Sequence, residues 1–354
     1  MSTIYDVSKH AGVSVATVSR VLNANPKVDL ALRKRVLESI RQLEFVPNGT
    51  ARSLKTGRTQ RVALVIPDIN NPFFPGVARG AQSALEAHNY HLILSNTDDD
   101  LLRQNRYLQM LGQVGVDGLI ITPSAWDSET NEAYPHSLER QLEGLGVPVV
   151  GLSVQAIAAG ADHVRTDEQA TGFKATEHLI ERGHRRIALI QGPTHSDASQ
   201  ARSTGYLEAL KAYGLEANPT LRVQGHARRD GGHAAMMELL QLERRPSAVF
   251  AINDLMALGA MTAIHEFGLH IPRDIAVVGV DDIPEAASAY PSLSTVALSS
   301  HEQGRVAAEL LLERILRLNG VSGIKDLART ITLETHLKVR DSSLTKYAAG
   351  DQLF

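Results

Sequence analysis

Residues 13–22 read VSVATVSRVL, a stretch that interleaves hydroxyls with small apolar side chains and nearly ends on a guanidinium. Wound as a helix, it sets Ala16, Thr17 and Arg20 on or close to one outward face, with Asn23 just beyond. The hydroxyls of Thr17 and Ser19 suit phosphate oxygens, and the fork of Arg20 fits the O6 and N7 edge of guanine. The chemistry offered here is recognition of bases and phosphates, not bond breaking. Further on, the basic segment PNGTARSLKTGRTQR places Leu54 between Arg52 and Lys55. That is the composition of an apolar wedge for a minor groove, or of a plain linker. A second set of polar residues closes apolar runs later in the chain: Asp68, Asn96, Ser124, Asn253 and Asp281. In open α/β sheets ligands sit at the carboxyl ends of strands.

These residues need elements to hold them. Thr3 with Asp6 resembles a capping box that opens a helix running to about residue 11. Gly12 permits a tight turn, and Ser14 is a good N-cap for a second helix over 15–22. Ile4, Val7, Ala11, Val15, Val18 and Val21 form an apolar seam across the two. Asp29 caps a third helix whose apolar residues are Leu32, Val36, Ile40 and Leu43, with Pro47 as its stop. Helix, glycine turn, helix is the arrangement that lays its second helix in the major groove.

From residue 61 the pattern changes. Apolar strand candidates at 62–67, 91–96, 118–124, 148–153, 186–192, 220–225, 248–253 and 275–282 alternate with helix-like stretches at 76–88, 101–114, 168–182, 199–213, 230–242, 254–267 and 301–318. Strands without alternation, separated by helices, imply parallel sheets covered on both faces. Eight such units exceed an ordinary open sheet and imply a barrel or two lobes.

The 354 residues are 43% hydrophobic, enough for a substantial core. The net charge of −3 is unevenly placed: residues 1–61 hold eleven Lys and Arg against four acids, +7, which leaves −10 on the remainder. A basic head on an acidic body suits a head that meets a polyanion. No apolar run of membrane-spanning length and no secretory leader is expected, so the location expected is cytoplasmic. The absence of cysteine excludes a disulfide framework, thiolate zinc and a cysteine nucleophile.

The blocks YDVSKHAGVSVATVSRVLN, FVPNGTARSL, NNPFF, GVDGLIITPS, ERGHRRIALIQG, ARSTGYLEAL, INDLMALGAM and VVGVDDIPEA, in this order, resemble the lactose/galactose repressor (LacI/GalR) family of bacterial transcription regulators. The resemblance runs from about residue 3 to about residue 340. It implies an α/β protein: a helix-turn-helix head at 1–46, a hinge helix or linker at 47–60, a two-lobed periplasmic-binding-protein-like core of parallel sheets at 61–340, and a tail at 341–354. The N-lobe would combine 61–161 with 292–325, and the C-lobe 162–291 with 326–340, with crossovers near 162, 291 and 325. Family members act as dimers on palindromic operators, with paired hinge helices that insert a leucine into the minor groove. Leu54 stands at that position, beside Arg52. Val15, Ala16 and Arg20 match base-reading positions, and Ser14, Thr17 and Ser19 match phosphate contacts. Phe45 stands where the family commonly has a tyrosine, so a hydroxyl contact to phosphate is lost.

The resemblance also implies a small-molecule effector between the lobes, held by Phe73, Phe74, Ser124, Asp167, Arg202, Asn253 and Asp281. Each has a plainer alternative: the phenylalanines as core, Asp281 as a turn cap, Asn253 as the cap of a helix from 254. Where the family often carries an aromatic after strand 220–225, this chain has Ala227, followed by Arg228 and Arg229. The missing ring argues against a purine. With His195, His226 and Arg202 nearby, it admits a sugar acid, unless the two arginines simply face solvent.

The expected function is a DNA-binding repressor controlled by a sugar or sugar derivative. It works as a homodimer on the nucleoid, without cofactor, metal or membrane. An enzyme is disfavoured: GxGxxG after a strand, GxxxxGK[ST], HExxH and GxSxG are all missing, and the 14 histidines are scattered. A transport-type binding protein would lack the basic head.

Overall fold

The computed structural model describes residues 2–22, 25–46, 57–124, 134–152, 157–158, 160–317 and 327–344, and the chain divides into two compact units, 1–59 and 60–354.

The first unit is built from α1 (Ile4–Ala11), α2 (Val15–Leu22) and α3 (Leu30–Gln42). The capping box is present: Thr3 accepts from the Asp6 amide while Asp6 accepts from the Thr3 amide, and Gly12 ends α1 at φ 60°. Asp29 caps α3 by accepting from Ala31 and Leu32. Val7, Ala11, Val18, Val21, Val36 and Phe45 make the core. Two expectations shift. Val15 is only half-buried and outside that core, to which α2 contributes Val18 and Val21, with Leu22 packed against them. And α3 stops at Gln42, well before Pro47, where Glu44 turns into the left-handed region at φ 47°.

The second unit holds two six-stranded sheets. The strands are β1 (Arg61–Ile66), β2 (His91–Asn96), β3 (Gly118–Ile121), β4 (Val149–Gly151), β5 (Asp162–Thr166), β6 (Ile187–Gln191), β7 (Arg222–Gln224), β8 (Ala248–Ala251), β9 (Ala276–Asp281), β10 (Ser294–Ala297), β11 (Thr330–Leu333) and β12 (His336–Lys338). The N-lobe sheet runs β11-β5-β4-β3-β1-β2, all parallel, and the C-lobe sheet β12-β10-β9-β8-β6-β7, parallel except for β12 against β10. The covering helices are α4 (Phe73–Glu86), α5 (Leu101–Val114), α6 (Tyr134–Leu145), α7 (Glu168–Glu181), α8 (Asp197–Ala212), α9 (Arg229–Leu240), α10 (Asp254–Glu266), the short α11 (Pro284–Ser288) and α12 (Ser300–Arg317). Alternate residues of β1 serve opposite faces. Val62, Leu64 and Ile66 pack with α4 and α12, while Ala63 and Val65 pack with α5 and α6.

The crossovers come later than 162, 291 and 325. The chain leaves the N-lobe after Thr166, returns after Ala297, and crosses a third time between Leu333 and His336. A strand's amides must be paired before the chain can leave its sheet. DHVRT and STVA are too polar to read as strands, yet both are fully laddered. The expected tail is also shorter: Asp341–Ser343 form a 3-10 turn with Ser342 and Ser343 buried, and the Ser342 hydroxyl donates to the Val277 carbonyl at 2.6 Å.

Three helix pairs touch through glycines facing each other's backbone. A Cβ on Gly80 would lie 1.9 Å from the His301 carbonyl oxygen, and one on Gly304 1.9 Å from that of Val77, so α4 and α12 are in backbone contact. Gly259 does the same between α10 and α9, 2.0 Å from the Arg229 oxygen. Gly172 and Gly205 pin α7 to α8, and the Cβ absent from Gly172 would fall 2.0 Å from the Arg202 oxygen. That last contact fixes where Arg202 stands.

Candidate functional site

A cavity of about 380 Å³ lies at the carboxyl ends of the strands, between the lobes of the second unit. That is the size range of small-molecule sites. Phe73 and Phe74 open α4 on the N-lobe side, their rings edge-to-face at 5.3 Å and 86°. Ser124, three residues past β3, is fully buried; its hydroxyl pairs with that of Thr97 at 2.9 Å, and its amide donates to Gln104 at 2.7 Å.

The floor belongs to the C-lobe. Arg202, on α8, is nearly buried; its Nε donates to Glu168 Oε2 at 2.6 Å and its Nη1 to the Ile252 carbonyl at 2.5 Å, with Asp281 Oδ1 at 3.7 Å. Burial disfavours this cation, but Glu168 and Asp281 outweigh burial and hold it charged. Burial pushes the Asp281 carboxyl up to about 7, opposed by Arg202, reinforced by Glu168 and opposed again by a hydrogen bond from Asn71. Asn71 is an N-lobe residue that lines the same cavity as Asp281. Beneath lies the buried carboxyl of Asp254, raised well above its ordinary value by desolvation and by Asp281. Asp281 itself sits at φ 114°, and Asp98, Asp99, His226 and Ala227 on the lining also have positive φ. Such backbone conformations concentrate at ligand sites.

Six of the seven expected effector residues line this cavity: Phe73, Phe74, Ser124, Arg202, Asn253 and Asp281. Asp167 does not. It is exposed and caps α7, accepting from the Ala170 amide at 2.8 Å, because the crossover after β5 turns its side chain to the helix end. Its neighbour Glu168 lines the cavity instead. Asn253 caps α10 by accepting from Met256 and donates to the Ala227 carbonyl at 2.9 Å, so the cap and the cavity wall are one role. His195, His226 and Arg228 are on the lining, while Arg229 is not; it borders a separate surface hollow with Met261 and Tyr290. Sequence reasoning missed Glu168, Asn71 and Asp197. Glu168 was legible only as a second acid beside Asp167 at a strand-to-helix junction. Among the described residues no cluster of three metal-ligating side chains occurs, and no helix is long and apolar enough to cross a membrane.

In the first unit, Ser14, Ala16 and Arg20 of the α2 segment are exposed, and Val15, Thr17 and Ser19 are half-exposed. Ser14 Oγ accepts from the Thr17 amide at 3.2 Å, and the two hydroxyls lie 3.0 Å apart. Together these residues make one accessible face of small, hydroxyl and guanidinium groups. Asn23, Arg52 and Leu54 lie outside the described residues.

Comparison with known proteins decides what this pair of sites is. Residues 3–48 match "Bacterial regulatory proteins, lacI family", and residues 176–343 match a periplasmic binding protein-like domain. The ribose operon repressor of Escherichia coli is 36% identical over 89% of this chain and 93% of its own. The chain belongs to the lacI family of bacterial regulatory proteins. The HTH-type transcriptional repressor PurR of Aliivibrio salmonicida is 35% identical over 89% of this chain and 92% of its own. Among solved structures, a CelR–cellobiose complex superposes at TM-score 0.70 with 35% identity, covering 97% of this chain and 100% of that one. The lac repressor dimer bound to operator gives 0.80 with 25% identity, covering 97% and 99%. As a lacI-family member the chain is a DNA-binding transcriptional regulator with an effector-binding core, not an enzyme.

Proposed function

We propose that this lacI-family protein is a homodimeric repressor that binds a palindromic operator and exchanges that binding for a neutral sugar in the interlobe cavity. The observation that carries the reading is one chain holding both parts: a recognition face on which Ala16 and Arg20 are exposed, and a chamber with paired phenylalanines above a polar floor. Ala16, Arg20 and Val15 read base edges; Ser14, Thr17 and Ser19 hold phosphates, with Asn23 beside them. Leu54, flanked by Arg52, wedges the central minor groove from both protomers. A single short helix reads few bases, so two half-sites about 34 Å apart on a two-fold axis supply the affinity. The site of action is the nucleoid, in the cytoplasm.

Phe73 and Phe74 offer aromatic surface to the apolar face of a sugar ring, while Asp281 and Arg202 take its hydroxyls. A sugar is favoured over a purine because Ala227 offers no ring to stack on. Repressor relatives of both kinds occur: one is named for the ribose operon, another is PurR. One solved neighbour, from Enterococcus faecium, holds ribose and another cellobiose. Closure of the lobes on the sugar changes operator affinity through the hinge at 47–60.

The test is selection from random duplex DNA with purified full-length protein and with Arg20→Ala, followed by a sugar panel on the recovered duplex. A palindrome enriched by the wild type and lost in the variant is expected, with release by a sugar. A non-palindromic site, or one kept by Arg20→Ala, overturns the assignment of the recognition helix.

A further inference from the structure

The planar fork of Arg202 could clamp a carbonyl, a hydroxyl or a carboxylate of the ligand. The structure disfavours the carboxylate. The Nε of Arg202 is taken by Glu168 at 2.6 Å and one Nη1 hydrogen by the Ile252 carbonyl at 2.5 Å, with Asp281 Oδ1 3.7 Å from the same Nη1. Glu168 is itself held: its other oxygen accepts from the Thr166 hydroxyl at 2.5 Å, and its side chain is 8% exposed. An almost buried guanidinium already matched by the Glu168 carboxylate carries no spare positive charge for a ligand anion. Among the described residues no group accepts from Nη2, which suits a donated bond to a neutral hydroxyl. The rest of the lining agrees, with six carboxylates against three guanidiniums, two of which, Arg165 and Arg228, belong to exposed residues.

We infer that Glu168 sets the charge class of the effector: by committing Arg202 to protein carboxylates, it makes the cavity one for uncharged polyhydroxyl ligands and closes it to sugar acids and sugar phosphates. Glu168 is a positioning residue that acts through Arg202. The inference rests on the reading of the cavity as the effector site. Replacing its carboxylate by the isosteric amide removes the counter-charge and keeps the shape, leaving a buried guanidinium short of an anion. A ligand carboxylate placed near Nη2 would then restore the missing partner.

The experiment measures binding by calorimetry and thermal shift on the full-length protein. The probes are matched sets: D-glucose with D-glucuronate, D-galactose with D-galacturonate, D-ribose with D-ribose 5-phosphate, and cellobiose with cellobionate. The wild type is expected to bind neutral members about tenfold or more tighter than their acids, and Glu168→Gln to narrow or invert that ratio by about tenfold. Should Glu168→Gln prove unstable, its melting temperature is itself the readout, recovering with the acid member and not with the neutral one. The double variant Glu168→Gln/Arg202→Gln lacks the freed charge and is expected to lose the gain for acids. A wild type that prefers acids overturns the inference and moves recognition to Arg228 and His226 at the rim. So does a Glu168→Gln protein whose acid-to-neutral ratio is unchanged, with the sugar site itself left intact. Silence from every neutral sugar overturns the sugar reading of the cavity, and the inference with it.

Discussion

Asp281 shows how one side chain's surroundings set its chemistry. Burial, reinforced by Glu168, raises its carboxyl from 3.8 to about 7 despite Arg202. Between those two values the folded chain keeps a proton that the unfolded chain has released. Stability therefore falls as pH rises through this window, and the full penalty, on the order of a few kcal/mol, stands above pH 7. Asp281→Asn removes the titration. Relative to wild type, the variant's melting temperature is expected to be higher at about pH 8 than at about pH 5, and a difference that does not vary with pH would return Asp281 to an ordinary carboxylate. The recognition face is equally specific in its residues. Ala16 is exposed on α2, where the proposed function has it read a base edge. Ala16→Arg is expected to change the half-site recovered by duplex selection and to leave the head folded, since Val18 and Val21 carry its packing. An unaltered consensus would count against α2 as the reading helix.

At the scale of elements, the contact between α7 and α8 ties stability to the site. Gly172→Ala drives a Cβ to 2.0 Å from the Arg202 oxygen, where only backbone could yield. The cost expected is about 1–3 kcal/mol or more, with sugar binding weakened in parallel because Arg202 moves. Gly144, inside α6, has nothing within 4 Å of its missing Cβ. There the same change is expected to be neutral or to stabilise by about 0.5–1 kcal/mol. Thermal unfolding of the two variants separates packing from helix propensity; equal effects would remove the role given to the crossing. Elements with local signals were legible in the chain: α1, α2 and α3 through Thr3, Gly12, Ser14 and Asp29, and the apolar strands β1, β6, β8 and β9. Those lacking such signals were not. β5, β10, β11 and β12 are short and polar, and they are strands only because a partner edge waits for them in space.

For the whole molecule, the testable quantity is a coupling free energy. If the interlobe cavity and the head share one equilibrium, the factor by which a sugar lowers operator affinity equals the factor by which operator lowers sugar affinity. Couplings of this kind run at about 1–3 kcal/mol, or roughly 5- to 150-fold. Sugar binding measured with and without saturating operator is expected to differ by the same factor as operator binding measured with and without sugar. Equal sugar affinity in both conditions would uncouple the two sites.

The sequence by itself determined what depends on neighbours along the chain. The capped helices of the head, the face with Ala16 and Arg20, the +7 charge of residues 1–61, and the polar ends of apolar strands are all local patterns. Six of the seven residues that the family resemblance assigned to the effector line the cavity. The tertiary structure alone decided the lobe boundaries, which lie after Thr166 and Ala297 and between Leu333 and His336. It also exchanged Asp167 for Glu168 and set the charge of the floor. Arg202 and Glu168 are 34 positions apart, and Asn71 and Asp281 come from different lobes. Whether a guanidinium meets a ligand or a carboxylate of its own chain depends on distances that no sequence pattern encodes.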